Sequence, residues 1–208
     1  MLKNYKKDDF GVIHQIMHDK FNYDLEYVHN RYDCYGELTK RMSHLRLGYI
    51  IGVINKYPKT ILDVGYGNGD FLRTCLSVIP KCYGNDVSGY QIPENCTFIH
   101  NIFLNEFDVI TFFDSLEHFE NIDFISELKC NYVVISLPWC HNFSNEWFYN
   151  WKHRRENEHL HHFDDKSLIM FMKYHNFECV SITNIEDIIR KPIDNHENIL
   201  TGIFKKIK

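Results

Sequence analysis

Along this chain, apolar residues spaced three or four apart alternate with short unbroken apolar runs. From Leu38 the positions Leu38, Met42, Leu45, Tyr49 and Gly52 recur at helical spacing. That predicts a helix to about Asn55, which Pro58 ends. Next, 60–65 (TILDVG) reads as a buried strand and 70–79 as a helix closed by Pro80. Segments 81–87 and 97–101 read as a second and third strand. The runs 107–114 (FDVITFFD) and 132–137 (YVVISL) are continuously apolar, as in strands covered on both faces. Asp164 is placed to cap a helix carrying Leu168, Ile169, Met172 and Tyr174. Two late strands follow at 177–185 and 200–207. Strands alternating with helices imply a mostly parallel α/β sheet. Only 88–96, with Pro93 inside, joins the second strand to the third. A parallel crossover usually needs at least about 10–12 residues, so its helix is expected to be very short or absent.

Residues 1–42 are polar, with Tyr23, Tyr27, Tyr32 and Tyr35 at near-helical spacing. They are read as an N-terminal helical cap on a main domain at 43–208. In 208 residues there is no alanine, so the helices rely on packing more than on propensity. Apolar content is 44% and aromatic content 15%. A chain of this length should bury roughly 70–75% of its unfolded surface.

Charge and cysteine usage narrow the class. The net charge of −5 argues against a broad nucleic-acid surface. No apolar run approaches the ~18 residues of a membrane span. The start, MLKNYKKDDF, has no apolar stretch of a secretory signal. The seven cysteines are scattered, odd in number and form no CxxC pair. Reduced thiols and a cytoplasmic location are the expectation.

The chemistry centres on DVGYGNG at 63–69, between the first strand and its helix. Three of the ten glycines fall there within five residues. Glycine permits positive φ and close approach of backbone to a ligand, and the location is the ligand edge of a parallel sheet. A dinucleotide fingerprint would read GxGxxG, but the sixth position is Asp70. A carboxylate at a helix N-terminus hosts a pyrophosphate poorly. Asp86 ends the second strand 23 residues after Asp63, where an acid can accept both hydroxyls of a ribose.

This combination resembles the class I S-adenosylmethionine-dependent methyltransferases. ILDVGYGNG looks like their first motif, GNDVS like the ribose-acid segment and FDVITFFDSLEH like the fourth-strand motif. The likeness covers about 38–208. LRLGYI at 45–50 and EHLHHF at 158–163 are similar to segments of ubiquinone-pathway O-methyltransferases. The resemblance implies a Rossmann-like, seven-stranded, mostly parallel sheet with helices on both faces, and S-adenosyl-L-methionine as cofactor. It implies that Gly65, Tyr66 and Gly67 line the methionine part, with Asp63 supporting the loop. Asp86 would hold the ribose, Val87 would meet the adenine, and Asn101 and Ile102 would flank its edge. Phe113 and Asp114 would border the sulfonium, and Arg46 would reach the methionine carboxylate.

All three tryptophans (Trp139, Trp147, Trp151) and five of thirteen histidines lie between 139 and 163. That segment is read as a lid over an organic acceptor, with a satellite aromatic cluster as the alternative. A hydroxyl acceptor benefits from a base near pKa 7. His161 is the first candidate, with His118 and Glu117 in reserve. No metal is assigned, because His141, His153, His159, His161, His162 and Cys140 match no finger spacing, and no carboxylate-and-amide cluster for magnesium can be assembled. The expected activity is methyl transfer to oxygen of a small molecule or a glycan. A nicotinamide oxidoreductase and a non-catalytic partner subunit are the alternatives.

Overall fold

The computed structural model describes residues 3–32, 35–192 and 195–207; Cys34 lies outside them, as does the side chain of Tyr32. The N-terminal region contains β1 (Tyr5–Lys7), β2 (Ile13–Gln15) and α1 (Leu25–Tyr32). After it come α2 (Glu37–Ile54), β3 (Thr60–Val64), α3 (Asp70–Cys75), β4 (Lys81–Asn85), β5 (Cys96–Phe98) and β6 (Phe107–Phe113). The chain continues through β7 (Cys130–Pro138), α4 (Asn145–Asn150), β8 (His161–His162), α5 (Asp165–Tyr174), β9 (Phe177–Thr183) and β10 (Ile199–Lys206).

Seven strands form the main sheet in the order β5-β4-β3-β6-β7-β10-β9. The first five run parallel, and β10 is antiparallel to both neighbours. β6 and β7 are central and bury nearly every side chain, which is why their sequences read as unbroken apolar runs. One face of the sheet packs Leu47, Ile50 and Ile54 of α2 and Phe71 and Leu72 of α3 against Ile61, Val109 and Ile203. On the other, Leu168, Phe171 and Met172 of α5 meet Leu62, Phe112 and Phe204. Helices therefore cover both faces.

The crossover between β4 and β5 contains no helix among its described residues, as its length required. Between β6 and β7 there are only two 3₁₀ turns, Leu116–His118 and Asp123–Glu127. No described helix is long and apolar enough to cross a membrane.

The N-terminal region departs from the helical expectation. β1 and β2 form an antiparallel hairpin whose second strand pairs with β8, with Ile13 opposite His162 and His14 opposite His161. Asp8 builds its turn by accepting from the backbone N–H of Phe10 at 3.0 Å and Val12 at 2.8 Å. Strands of three residues are too short to print a period on the sequence. The boundary at 42/43 falls inside α2, which is one continuous helix.

Candidate functional site

Two adjoining cavities open at the carboxyl edge of the parallel strands, of about 320 and about 300 Å³. Tyr27, Gly65, Asp114 and His118 line both. The smaller one runs along Gly67, Asp86, Val87 and Ser88. The larger one reaches Arg46, Asp63, Tyr66, Phe113, His153 and His159.

The glycine loop leaves β3 through three positive φ angles, +82° at Gly65, +55° at Gly67 and +78° at Gly69. Two of these glycines answer to the protein itself. A Cβ on Gly65 would stand 2.7 Å from Cβ of Ser115, and one on Gly69 would stand 2.5 Å from Cγ of Pro93. Gly67 donates its N–H to Oδ2 of Asp86 at 2.9 Å, while Oδ1 accepts from Ser88 N–H at 2.7 Å. Asp86 thus ties the loop after β3 to the turn after β4. Tyr66 lies over Gly84, where any Cβ would stand 2.7 Å from its ring. Its hydroxyl donates to the carbonyl of Tyr90, and burial, with the charge of Asp86, pushes its pKa up to about 12. The bulky Tyr66 is accommodated by the missing side chain beneath it.

Asp63 is fully buried and accepts from the Thr111 hydroxyl at 2.7 Å. Burial raises its pKa to about 7, against the opposing pull of that hydrogen bond and Arg46. Asp70 opens α3 with its carboxylate at the cavity wall, held by Thr39, Asn68 and Arg73. A pyrophosphate would meet that charge directly.

Arg46 lines the larger cavity but is already engaged. Its Nε and Nη2 donate to Glu186 at 2.7 and 2.9 Å, and Nη2 also reaches Asp114 at 3.1 Å. Arg190 Nη1 donates to both oxygens of Asp114 at 2.7 and 2.8 Å. Two arginines therefore neutralise two carboxylates. Burial alone would raise Asp114, yet Arg190 and Arg46 hold its carboxyl well below the usual range. Arg46, expected to reach the methionine carboxylate, lines the cavity as an ion-paired guanidinium, because Glu186, fully buried, requires a partner. Sequence reading missed Glu186 and Arg190, although their i, i+4 spacing was visible.

Three further expectations are corrected. Asn101 and Ile102 line neither cavity. β5 ends at Phe98; Ile102 packs into the core and exposed Asn101 accepts from Phe103 N–H. His161 is also elsewhere. Its Nδ1 lies 2.8 Å from Nδ1 of His14 and its Nε2 2.7 Å from the carbonyl of Phe119. Burial lowers its pKa to about 4. The tryptophans line neither cavity: Trp147 and Trp151 pack with Tyr5, Ile13, Cys140 and Phe148 in a satellite aromatic cluster beside the hairpin, and Trp139 packs against the main core. From that segment His153 and His159 face the cavity instead.

His118 is brought to the site. Its Nδ1 lies 2.7 Å from the carbonyl of Glu158 and 2.9 Å from the Tyr23 hydroxyl, which itself donates to that carbonyl at 3.2 Å. A carbonyl only accepts, so Nδ1 carries the proton and Nε2 is the basic nitrogen. Burial lowers the His118 pKa and favours the neutral ring. Glu117 lies behind it, and burial together with Asp114 raises its carboxyl well above the usual range. Tyr23, Tyr27 and Val28, from the N-terminal region, wall the smaller cavity. The tyrosine spacing was visible in the sequence, but only the fold brings it to the site.

Comparison with known proteins agrees with this geometry. A family model described as a methyltransferase domain matches residues 27–182. No curated protein matches the sequence. Among solved structures, the chain is similar to 1,6-didemethyltoxoflavin-N1-methyltransferase of Burkholderia thailandensis, solved with 1,6-didemethyltoxoflavin and S-adenosylhomocysteine. Identity is 13%, coverage 99% of this chain and 100% of that one, and the TM-score 0.61. The YcgJ protein of Bacillus subtilis shares 15% identity over 79% of this chain and 99% of its own, with a TM-score of 0.59. Magnesium protoporphyrin IX methyltransferase of Synechocystis, solved with S-adenosylhomocysteine, shares 12% over 81% and 84%, with a TM-score of 0.57.

Proposed function

The chain belongs to the methyltransferase-domain family, and on that premise we propose that it moves a methyl group from S-adenosylmethionine to an oxygen of a small organic molecule or glycan. The observation that carries this reading is the Asp86 clasp. A carboxylate offers about four acceptor positions. Gly67 and Ser88 use two of those on Asp86, which leaves one pair for the two hydroxyls of a ribose. Val87, 80% exposed beside it, offers an apolar surface to a purine.

When bound, the cofactor supplies an electrophilic methyl carbon on a sulfonium. The protein's share is alignment, desolvation and proton handling. Phe113 and Asp114 line the wider cavity beside Gly65 and Tyr66 of the glycine loop, Tyr27 lines both cavities, and Tyr23 covers the smaller one from the N-terminal side. Nε2 of the neutral His118 accepts the hydrogen bond of an acceptor hydroxyl and withdraws its proton as the oxygen attacks.

Calorimetric titration of the full chain with S-adenosylhomocysteine and with NAD tests the cofactor. Heat with the first and none with the second is expected; the reverse overturns the reading. A panel of hydroxyl and amine acceptors, followed by methyl incorporation, tests the atom. Binding without turnover across the panel would instead favour a non-catalytic partner subunit.

A further inference from the structure

Glu117 is a buried carboxylate without a hydrogen-bond partner among the described residues. It is 1% exposed, and neither of its oxygens receives a hydrogen bond among the described residues. Carboxylates this deep are paired, hydrogen-bonded or bound to a metal. Two imidazoles beside it complete a donor set. One ligand atom each from Glu117, His118 and His159 lie within 4.8 Å of one another. The two rings meet edge to face with centroids 4.8 Å apart, and His118 Nε2 is 4.0 Å from Glu117 Oε1. Tetrahedral coordination at about 2.1 Å would place donors about 3.4 Å apart, a contraction within reach of side-chain torsions.

The orientation of His118 is that of a metal ligand. Its Nδ1–H is held by the Glu158 carbonyl, which makes Nε2 the nitrogen that would ligate, the arrangement that usually fixes metal-binding histidines. His159 makes no side-chain hydrogen bond among the described residues, and both histidines line the larger cavity.

We propose that Glu117, His118 and His159 bind one divalent transition-metal ion of the zinc or manganese class at the wall of the larger cavity. Two neutral imidazoles and one carboxylate suit such an ion better than magnesium or calcium, which take oxygen donors. Three protein ligands leave coordination positions open, as catalytic sites do. What fills them rests on the function proposed above: the acceptor hydroxyl. On the ion, the oxygen keeps its electron pair for the methyl carbon and releases its proton to solvent. Nε2 of His118 is then a ligand, and the ion takes over its role in holding the oxygen.

The test uses the full chain stripped with a chelator. Zn²⁺ alone is titrated by competition with a chromophoric chelator, and Mn²⁺ alone by loss of its free electron-paramagnetic-resonance signal. One ion per chain is expected, bound at least about tenfold more tightly than Mg²⁺. Glu117→Gln and His159→Asn should each weaken binding at least about 100-fold. Absence of stoichiometric binding, or binding undiminished in both variants, overturns the site. If neither variant folds, a rise in the thermal midpoint of the wild-type chain with Zn²⁺ decides: a midpoint that does not move overturns it. Titration of the metal-free protein with S-adenosylhomocysteine separates the two ideas. Cofactor heat without metal binding removes the metal site and leaves the methyltransferase reading. Metal binding without cofactor heat does the opposite.

Discussion

Asp63 shows how burial turns one residue into a pH sensor. Its folded pKa of about 7 lies above the ordinary carboxylate range. In the window from about 4 to 7 the folded chain holds a proton that the unfolded chain has lost. The contribution of Asp63 to stability therefore falls as pH rises through that window, on the order of a few kcal/mol. Asp63→Asn should cancel this part of the slope, as measured by urea unfolding at pH 5 and pH 7.5. Asp86 is different in kind, since its oxygens are half committed to the loop and half available. Asp86→Ala should weaken S-adenosylhomocysteine by about 1–3 kcal/mol, the cost of lost charge-assisted hydrogen bonds. Unchanged calorimetric affinity would withdraw the ribose assignment.

At the scale of elements, α5 is the clearest local design. Asp164 accepts from Ser167 N–H at 2.7 Å while Ser167 Oγ accepts from Asp164 N–H at 2.9 Å, a reciprocal cap. Asp164→Ala should cost about 0.5–2 kcal/mol, read as a lower denaturant midpoint with unchanged slope. Elements with a strong local signal are legible in the sequence: α2 from its spacing, β6 and β7 from their runs, α5 from its cap. The glycine loop and Asp86 were legible because loop chemistry is written in residue type. What the sequence hid was contributed from a distance. β1, β2 and β8 have two or three residues each and exist only by pairing across the chain. Arg46 reads as a free cation until Glu186, 140 positions away, arrives beneath it. Asn101 looked well placed because the end of β5 cannot be fixed to within a few residues by pattern alone. Glu117, His118 and His159 evaded every spacing rule, because the third comes from another segment of the fold.

Across the whole molecule, buried neutral histidines dominate the acid response. Burial lowers His153 to about 4, His161 to about 4 and His162 to about 3. Below about 6.5 the unfolded chain protonates them and the folded chain does not, so each removes roughly 1.4 kcal/mol per pH unit. Three such groups outweigh the opposite slope of Asp63. The thermal midpoint should fall steeply between pH 6.5 and 5, and a flat profile by scanning calorimetry would contradict these burials. His161 and His162 are also the two residues of β8, where the hairpin of β1 and β2 is fastened to the rest of the chain. Its strand pairing is a register of two residue pairs, against seven between β7 and β10, supplemented by side-chain contacts such as Gln15–Asn157 and Tyr149–Lys3. Opening free energy follows how much packed structure must separate. Amide hydrogen exchange at Gln15, bonded to Leu160 at 2.8 Å, should therefore run faster than at Ile110 in the central sheet. One wall of the site is therefore carried by a far shorter ladder than the sheet that forms its floor. Because His161 and His162 form the strand that pairs with the hairpin, acid that charges them should loosen the N-terminal wall first, and the rate of ligand exchange, not only affinity, should then depend on pH.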